Sequence, residues 1–279
     1  MKVSTLAIVG VGLMGGSIAL AARRRGVATR IIGVDHQIEA LAQARQHGML
    51  DDASPHLQDA ATVADLMLFC TPVDGIAAQI LEASAYCRPG TMLSDVGSTK
   101  AAILRDVLGR LPPGIEFIGS HPLAGSERNG PAHASPHLLE GRLVIVTPTP
   151  GTSKDALSRI SDFWLALGAR VRVMNAEEHD RAVALTSHLP HLLASALAGI
   201  LPPELHELTA TGFRDTTRLA AGHPDLWSAI FRSNTTHLLA ALTHFEEQIE
   251  RFRNALLAED AVALDRLLRE GKKVRDDLS

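Results

Sequence analysis

The sequence predicts an α/β fold in which a doubly wound, mostly parallel sheet is followed by an all-helical region. Three features support this class. A glycine-rich turn follows an apolar run at the start, apolar runs then alternate with helical segments as far as residue 174, and helical periodicity alone remains beyond that point. Strands that alternate with helices are typical of βαβ units in a parallel sheet. We therefore predict a first domain over residues 1–174 and an all-helical second domain over residues 175–279.

The glycine-rich turn predicts a Rossmann-like dinucleotide site. Residues 6–9 are predicted to form a buried strand, and Gly10, Gly12 and Gly15 follow in G-x-G-x-x-G spacing before a helix predicted at residues 17–25. In that motif the first glycine allows the tight turn, the second lets a pyrophosphate approach the backbone, and the third lets helix and strand pack closely. The start of the helix adds free N–H groups and a positive dipole end for the phosphates.

An aspartate at the end of the second predicted strand indicates which dinucleotide binds. Asp35 directly follows residues 30–34, about twenty residues after Gly15, where a carboxylate accepts hydrogen bonds from the ribose hydroxyls and repels a 2′-phosphate. This favours NAD, whereas a protonated His36 would weaken the discrimination and leaves NADP open. A glycine-rich turn beside an ordinary surface aspartate is the alternative. The predicted cofactor-binding residues are Gly10, Gly12, Leu13, Met14, Gly15, Asp35, Thr71 and Pro72.

Composition and charge narrow the functional class and the compartment. The chain has 279 residues and a formal net charge of −4, and the lack of a basic block argues against nucleic acid as a partner. The start of the chain fits strand–turn–helix better than a signal peptide, and no other apolar run reaches transmembrane length without charges. Cys70 and Cys87 are too few for a disulfide framework. We therefore predict a cytoplasmic protein that has no nucleic-acid or membrane partner.

Apolar runs and helical periodicity give the remaining elements in order. Short apolar runs predict strands at residues 64–70, 89–95, 116–119, 143–147 and 170–174. Helical periodicity predicts helices at residues 37–46, 75–85, 101–111 and 153–167, with Ser153 as the N-cap of the last one. This alternation predicts the doubly wound sheet, with an antiparallel strand left open at its edge. Three long helical segments follow, at residues 176–201, 226–257 and 260–273.

The helical half is expected to form a homodimer. Helices of this kind often bury their apolar faces against a copy of themselves. Small residues that would allow such helices to approach closely are Ala194, Ala196, Ala198 and Gly199. A monomeric helical cap on the sheet is the alternative.

Catalytic chemistry is expected at the carboxyl ends of the parallel strands, where open α/β sheets bind ligands. Four loops qualify, and only the loop after residues 116–119 carries a side chain that titrates near neutrality, His121. A histidine beside a nicotinamide is suited to take the proton of a hydroxyl whose carbon gives up a hydride. Ser98 on the neighbouring loop is suited to hydrogen-bond that histidine or the hydroxyl, or to cap the next helix. A structural histidine at a strand end is the alternative for His121.

Two histidines in the helical half form a second candidate group. His188 and His191 are three residues apart and therefore lie on one helix face. Pro190 between them leaves the Thr186 carbonyl without its helical partner, which predicts a kink. The sequence has no H-E-x-x-H pattern and no nearby cysteine set. We therefore predict no metal site and expect at least one of the two histidines to hydrogen-bond the substrate.

An arginine-containing stretch at residues 212–218 is predicted to be a loop between helices. It includes Arg214, Asp215 and Arg218, and an arginine fork binds a carboxylate through two parallel hydrogen bonds. A surface network of arginine and aspartate is equally compatible with these residues.

Five motifs occur in one order along the chain: GVGLMGGS at residues 10–17, DVGSTK at 95–100, HPLAGSE at 121–127, SHLPH at 187–191 and GFRDTTR at 212–218. This combination strongly resembles the prephenate/arogenate dehydrogenase family of tyrosine biosynthesis. The resemblance extends from Leu6 to about Leu257, and the last three motifs are far more specific than the glycine loop.

The resemblance implies an NAD(P)-dependent oxidative decarboxylation of a cyclohexadienol, prephenate or arogenate, to 4-hydroxyphenylpyruvate or tyrosine. His121 matches the family's catalytic histidine, which accepts the ring hydroxyl proton, and Ser98 matches its serine partner. Arg218 matches the arginine that binds a substrate carboxylate, and Glu127 and Asp215 match residues that shape access to the site. The family is a dimer through its helical domain. The predicted substrate-binding residues are His188, His191, Arg218, Ser126 and Trp227, the last of these near the substrate side chain.

Two other functions stay open on the sequence. A β-hydroxyacid dehydrogenase shares the plan of a Rossmann-like domain followed by helices, but those enzymes typically use a lysine base in the helical domain, and residues 175–271 contain no lysine. A non-catalytic NAD-binding redox sensor would keep Asp35 and the glycine loop without needing His121, His188 and Arg218. From the positions at which the chain begins and ends, we expect a monofunctional dehydrogenase.

Overall fold

One eight-stranded sheet organises the protein, as seen in a computed structural model that describes residues 2–124, 128 and 130–278. The strands are β1 (Val3–Val9), β2 (Ala28–Val34), β3 (Asp52–Ser54), β4 (Leu66–Phe69), β5 (Met92–Asp95), β6 (Glu116–Pro122), β7 (Leu143–Thr147) and β8 (Arg170–Val173). Their order across the sheet is β3-β2-β1-β4-β5-β6-β7-β8. Neighbours from β3 to β6 are parallel, β7 pairs antiparallel with β6, and β8 is parallel to β7. The doubly wound sheet is confirmed, and its antiparallel pairing lies toward one edge.

Helices connect the strands and make up the rest of the chain. They are α1 (Leu13–Arg24), α2 (Ile38–Gln46), α3 (Leu57–Ala61), α4 (Val73–Ser84), α5 (Ala101–Val107), α6 (Lys154–Ala166), α7 (Ala176–Val183), α8 (Leu189–Gly199), α9 (Thr211–Thr217), α10 (Pro224–Ser233), α11 (Thr235–Leu257) and α12 (Ala261–Asp276). Ser153 caps α6 as predicted, because its hydroxyl accepts the N–H of Ala156 at 3.1 Å. No described residue after Val173 lies in a strand, so the helical second half is also confirmed.

The core lies on both faces of the sheet. Leu6 and Ile8 of β1 belong to one buried apolar cluster, while Ala7 and Val9 belong to a second cluster on the opposite face. This division follows from the alternation of side chains along a strand. Each fully buried leucine or isoleucine contributes roughly 1.5–3 kcal/mol relative to an exposed one. Burial on both faces leaves the carboxyl ends of the strands as the accessible part of the sheet.

Several elements differ from the sequence prediction, and the predicted helix at residues 226–257 is divided into α10 and α11. Helix α1 begins at Leu13 rather than at Ser17. Gly15 and the residue after it lie inside the helix, although glycine has a low helix propensity. Strand β3 and helix α3 were not predicted, since three and five residues are too few for periodicity to detect. Strand β6 continues through Pro122, so His121 lies in the strand opposite Ile145 of β7 and not in the loop that follows.

The proline in the histidine motif changes the helix type. A π-helical segment, Ala184–His188, lies between α7 and α8, and Pro190 follows at the start of α8. A proline inside a helix lacks its N–H and clashes with the carbonyl four residues earlier, and a wider turn relieves both problems. The predicted kink therefore takes the form of a π segment that ends at His188.

The chain divides into two compact units, Met1–Asn234 and Thr235–Ser279. The first holds the sheet and helices α1–α10, and the second is a hairpin of α11 and α12. In the hairpin, the Asp260 side chain caps α12 by accepting the N–H groups of Val262 and Ala263 at 3.0 and 2.9 Å. The domain boundary between residues 174 and 175 stays a prediction. Among the described residues, none of the helices combines the length and apolar character needed to cross a membrane.

Candidate active site

A first cavity of about 830 Å³ lies at the carboxyl ends of β1, β2 and β4. Five predicted cofactor-binding residues line it, namely Gly10, Gly12, Asp35, Thr71 and Pro72. The other three, Leu13, Met14 and Gly15, form the first turn of α1. Several polar lining residues carry no sequence signal because they lie outside any motif: Gln37, His56, Gln58, Gln79 and Tyr86.

The glycine loop is shaped for a pyrophosphate. Gly10 has a φ of +90°, and a Cβ there would lie 2.8 Å from the backbone carbon of Cys70. A Cβ on Gly15 would lie 2.1 Å from the carbonyl oxygen of Gly10. A Cβ on Gly12, by contrast, would meet no protein atom within 4 Å, and Gly12 lines the cavity. The N-terminus of α1 has no side-chain cap and no acidic residue in its first turn, so its N–H groups and dipole suit an anion.

Asp35 is held rigidly at the end of β2. Its Oδ2 accepts the N–H of Val11 at 2.9 Å, and its Oδ1 accepts the N–H of Gln37 at 2.9 Å. A carboxylate has about four acceptor sites, so the two ribose hydroxyls of a dinucleotide find acceptors here. The His36 ring lies 3.4 Å from Oδ1 and is 86% exposed. These features fit a dinucleotide whose phosphates lie over the glycine loop and whose ribose contacts Asp35.

A second cavity of about 680 Å³ brings together both halves of the predicted site. His121 at the end of β6 and Ser98 in the loop after β5 line it from the sheet, whereas Arg218 lines it from the 3₁₀ turn Arg218–Ala221. The helical half also contributes His188, His191 and Trp227. Ser126 and Glu127 lie outside the described residues. An imidazole from the sheet and a guanidinium from the helical region thus face one cavity.

His121 is half-buried. A residue outside every sequence motif holds it in place. Its Nδ1 lies 2.8 Å from Nε2 of His179 on α7, and the two rings meet edge to face. The pKa of His121 lies well below its usual value, chiefly because burial disfavours the cation. A cation at His121 would also be repelled by Lys100, and by His179 and His188 whenever these are protonated. His121 is therefore a neutral base at neutral pH.

His179 in turn contacts a buried carboxylate. Its Nδ1 lies 2.7 Å from Oδ1 of Asp180. Asp180 also accepts the N–H of Lys100 at 2.8 Å and that of Ala101 at 2.9 Å, and it thereby caps α5 from a different part of the chain. Both His179 and Asp180 are buried. Nothing in the sequence indicates that these two residues belong to the site. Apart from the contact between His179 and Asp180, all their partners named here lie far away in sequence.

His188 has a defined hydrogen-bonding role. The Nδ2 group of Asn234 donates to the carbonyl of Asp180 at 2.8 Å and lies 3.1 Å from Nδ1 of His188. Since an amide NH₂ only donates, Nδ1 of His188 accepts and its proton is on Nε2. Burial lowers the pKa of His188 to about 4. His188 is thus a neutral imidazole with one N–H available to a ligand in the cavity that it lines.

The side of the cavity away from the sheet is aromatic. The ring of His191 stacks on Trp227 with 3.6 Å between centroids and 14° between planes. A Cβ on Gly222 would lie 2.5 Å from Nε1 of Trp227 and 2.7 Å from Cε1 of His191, so only glycine fits beside this stack. Gly222 was also missed, since a lone glycine outside a motif carries no specific signal.

The arginine stretch is helical and not a loop, contrary to the sequence prediction. Residues Thr211–Thr217 form α9, and the hydroxyls of Thr216 and Thr217 donate to carbonyls one turn earlier, at 2.7 and 2.8 Å. Threonine hydroxyls that bond to the backbone weaken the usual helix signal. Arg218 lines the cavity, whereas Arg214 and Asp215 do not and are exposed on α9.

A buried ion pair links the ends of β5 and β6. Lys100 pairs with Oδ2 of Asp95 and donates to the carbonyl of Ser120 at 2.9 Å, and both charged side chains are fully buried. Oδ1 of Asp95 accepts the N–H of Ser120 at 3.2 Å. Burial alone would lower the pKa of Lys100, and the charge of Asp95 opposes that shift. The pair holds the backbone next to His121 in position.

These features define a class of protein: an oxidoreductase with a dinucleotide-binding Rossmann-like domain and a cavity, lined by a neutral histidine, between that domain and a helical region. The prephenate dehydrogenase nucleotide-binding domain matches residues 18–173, and the prephenate dehydrogenase dimerization domain matches residues 175–270. The chain belongs to the prephenate dehydrogenase family.

Individual relatives agree with this assignment. Cyclohexadienyl dehydrogenase of Zymomonas mobilis is 34% identical over 277 residues, which cover 97% of this chain and 94% of the relative. Prephenate dehydrogenase of Bacillus subtilis is 32% identical over 98% of this chain and 76% of its own length. The crystal structure of Aquifex aeolicus prephenate dehydrogenase in complex with hydroxyphenyl propionate and NAD⁺ superposes with a TM-score of 0.93 at 30% identity, over 100% of this chain and 99% of that one. A 3-hydroxyisobutyrate dehydrogenase of Salmonella typhimurium, at 15% identity and a TM-score of 0.62, shares the fold alone.

Proposed function

We propose that the protein catalyses the NAD-dependent oxidative decarboxylation of prephenate, arogenate or both, to 4-hydroxyphenylpyruvate and tyrosine respectively. The observation that carries this proposal is the shared cavity of His121, Ser98, His188 and Arg218. These residues supply the two things that the reaction needs, a neutral base for the ring hydroxyl and a fixed cation for a carboxylate. The names and structures of the relatives support the same substrate class.

In this proposal His121 takes the ring hydroxyl proton. Its Nδ1 is engaged by His179, so Nε2 is the nitrogen that accepts. A bound nicotinamide would accept the hydride that leaves the carbon bearing this hydroxyl. A base in this position contributes about 10² to 10⁴ in rate. Ser98 is the partner that orients the hydroxyl toward the base, and loss of the ring carboxylate as CO₂ leaves an aromatic product.

Arg218 holds a substrate carboxylate, and neighbouring side chains bind the rest of the molecule. His188 donates from Nε2, while His191 and Trp227 flank the substrate side chain with their stacked rings. Ser126 stays a predicted substrate-binding residue on the strength of its motif. Glu127 and Asp215 stay predicted residues at the access to the site.

NAD is the proposed cofactor in preference to NADP. Support comes from Asp35, whose ionised oxygens at the end of β2 would repel a 2′-phosphate. The described residues that line the first cavity include no arginine or lysine to hold such a phosphate. His36 is the neighbouring group that would favour NADP if protonated. The proposed contacts are made by Gly10, Gly12, Leu13, Met14, Gly15, Asp35, Thr71 and Pro72.

The protein is proposed to act as a homodimer formed through its second domain, residues 175–279. Support comes from the dimerization-domain match over residues 175–270. Large apolar side chains in that part of the chain are exposed, including Ile200 at 76% and Leu257 at 77%. A second copy is the partner that such surfaces suit best. The cytoplasmic location stays a prediction from the cysteine content.

The direct test is NADH or NADPH formation by the purified protein with prephenate and with arogenate, each with NAD and with NADP. We expect NADH formation with at least one of the two substrates, and a lower kcat/KM with NADP. Tight NAD binding without turnover of either substrate would contradict the proposal and favour a redox sensor.

Arg218 offers a second test with a matched control. Arg218→Gln should raise KM by about 10- to 100-fold, because a hydrogen bond to a charged group is worth about 1.5–3 kcal/mol. Arg214→Gln, an exposed arginine outside the cavity, should leave KM unchanged. Equal effects of the two substitutions would remove Arg218 from the carboxylate site.

A further inference from the structure

We propose that His179 and Asp180 are positioning residues that fix the tautomer and orientation of His121, so that the bare Nε2 of His121 meets the substrate hydroxyl. The inference rests on the proposed function and deepens it. The three side chains form one hydrogen-bonded series, of which His179 and Asp180 are buried: His121 Nδ1 to His179 Nε2 at 2.8 Å, and His179 Nδ1 to Asp180 Oδ1 at 2.7 Å.

Asp180 determines which atom donates and which accepts in each hydrogen bond of the series. An ionised carboxylate has no proton to give and only accepts hydrogen bonds. Asp180 accepts two backbone N–H groups, from Lys100 and Ala101 at the start of α5, through Oδ1 and Oδ2 respectively. The positive end of that helix favours a negative charge at this point. The contact from His179 must therefore be an Nδ1–H donor.

His179 transmits this constraint to His121. With its proton on Nδ1, a neutral His179 has a lone pair on Nε2 and accepts there. The facing Nδ1 of His121 must then carry a proton and donate. His179 is 0% exposed, so no water competes for its Nε2. The orientation of His121 is set by this bond and by its location in β6 opposite Ile145.

The consequence for His121 is a lone pair on Nε2. A free histidine side chain prefers the opposite tautomer, with the proton on Nε2, which would present a donor to the substrate and no base. His179 and Asp180 select the tautomer that acts as a base. The groups that face His121 from neighbouring elements are His179 on α7, Lys100 before α5 and His188 at the end of the π segment, and among these His179 makes the direct hydrogen bond.

The same series of side chains also stabilises His121 after proton transfer. The substrate O–H bond breaks as an N–H bond forms at Nε2 of His121, and the imidazole becomes a cation with both nitrogens protonated. Its Nδ1–H continues to donate to His179, and the carboxylate of Asp180 lies at the far end of the series. A negative charge held there stabilises the cation in a site of low dielectric constant.

Two substitutions at residue 179 separate positioning from simple packing. His179→Phe removes the acceptor and should lower kcat by about 10²-fold, with KM and the NAD dissociation constant within about a factor of two. His179→Gln has a carboxamide oxygen that can accept from Nδ1 of His121, and it should recover kcat to within about ten-fold of the parent. The exposed His206 provides the control, and His206→Gln should leave kcat unchanged.

The tautomers provide a readout that does not depend on turnover. In ¹⁵N NMR spectra of the histidine side chains, His121 and His179 should both carry their neutral proton on Nδ1, whereas His188 should carry it on Nε2. In the His179→Phe variant His121 should revert to the Nε2–H tautomer. If wild-type protein lacks turnover but shows these tautomers, the proposed function fails and the positioning role stands.

The proposal is overturned by any of three results: an Nε2–H tautomer of His121 in the wild-type protein, unchanged kcat in His179→Phe, or equal losses in the Phe and Gln variants. Asp180→Asn supplies an independent check, because an amide oxygen still accepts from His179 while the charge is lost. Because the lost negative charge no longer stabilises the His121 cation, this variant should shift the acidic limb of the pH profile of kcat/KM to lower pH. An unchanged profile, or a shift to higher pH, would contradict the role of the carboxylate.

Discussion

The first cavity, proposed to bind the nucleotide, and the second cavity, proposed to bind the substrate, are similar in size, about 830 and 680 Å³, but their polar side chains are held differently. In the first cavity the glycine loop and Asp35 all lie between residues 10 and 35, and the Asp35 carboxylate is held by the backbone N–H groups of Val11 and Gln37. In the second cavity the lining residues run from Ser98 to Ile230. Its histidines His121 and His188 lie within hydrogen-bond distance of side chains that are far away in sequence, His179 and Asn234. Its key histidine depends on side chains that line neither cavity.

Substitutions in the two cavities should therefore have different effects. Changes in the nucleotide cavity should act locally and mainly on cofactor affinity. Changes around the substrate cavity should act through buried polar partners, because an unpaired buried polar group or charge costs far more than an exposed one.

The largest effect is expected from His121→Asn. The substitution removes the base, so kcat should fall by about 10²- to 10⁴-fold. NAD affinity should stay within about a factor of two, because the nucleotide cavity does not include His121. Steady-state kinetics and NAD titration measure the two quantities. Near-normal turnover would refute the role, and a parallel loss of NAD affinity would show that the two cavities are not independent.

Next comes the buried ion pair next to His121. Lys100→Met leaves Asp95 buried and unpaired, and unfolding should become easier by about 3–5 kcal/mol. The matched control is Lys272→Met, where an exposed lysine loses its pair with Asp276 and the cost should be roughly 0.2–1 kcal/mol. Urea unfolding measures both. Similar losses in the two variants would contradict the contrast between buried and exposed partners.

Acid should destabilise the protein through the buried histidines. His188 has a pKa of about 4 in the folded state against 6.5 as its ordinary value. Between these values the unfolded chain binds more protons, so stability is full above about pH 6.5 and falls as the pH falls toward about 4. The shift corresponds to about 3 kcal/mol, and the lowered pKa of His121 acts in the same direction. Urea midpoints should drop over this window, and His188→Gln should reduce the slope; a slope unchanged by that substitution would remove His188 as its source.

The smallest effect on stability is expected within the glycine loop, where two identical substitutions have opposite consequences. Gly15→Ala brings a Cβ within 2.1 Å of the Gly10 oxygen and should cost about 1–3 kcal/mol of folding stability. Gly12→Ala meets no protein atom, so stability should change by less than about 0.5 kcal/mol. NAD affinity should nevertheless fall by about ten-fold or more, roughly 1.4 kcal/mol. Unfolding and NAD titration distinguish the two; equal stability losses would show that Gly12 is a folding residue.

Much of the fold could be predicted because the relevant signals are local. Strand β4 is a continuous apolar run, and the last four residues of β1 and of β2 are buried as well, as expected for strands covered on both faces. The glycine spacing and Asp35 belong to one βαβ unit, so their proximity follows from chain connectivity. The errors at α1 and α9 have a common cause, since glycine and threonine have poor helix propensity and the tertiary structure overrides it.

Residues of the second cavity could be predicted from the sequence chiefly where they belong to a sequence motif. His121, Ser98, His188 and Arg218 each came from a motif, and they do line one cavity. Gly222 was missed, although its lack of a side chain is what admits the stacked rings of His191 and Trp227. Nothing in the spacing of the chain distinguishes this glycine from one in an ordinary turn.

By itself the sequence determined the alternation of strands and helices, the glycine loop with its aspartate, and the types of side chain available for chemistry. These depend on periodicity and spacing, which act over one or two elements. Only the tertiary structure decided which nitrogen of His121 is left for a substrate, because that choice passes through His179 to Asp180 and the first N–H groups of α5. A hydrogen bond between residues 121 and 179 is set by how β6 and α7 pack, and no local pattern encodes that packing.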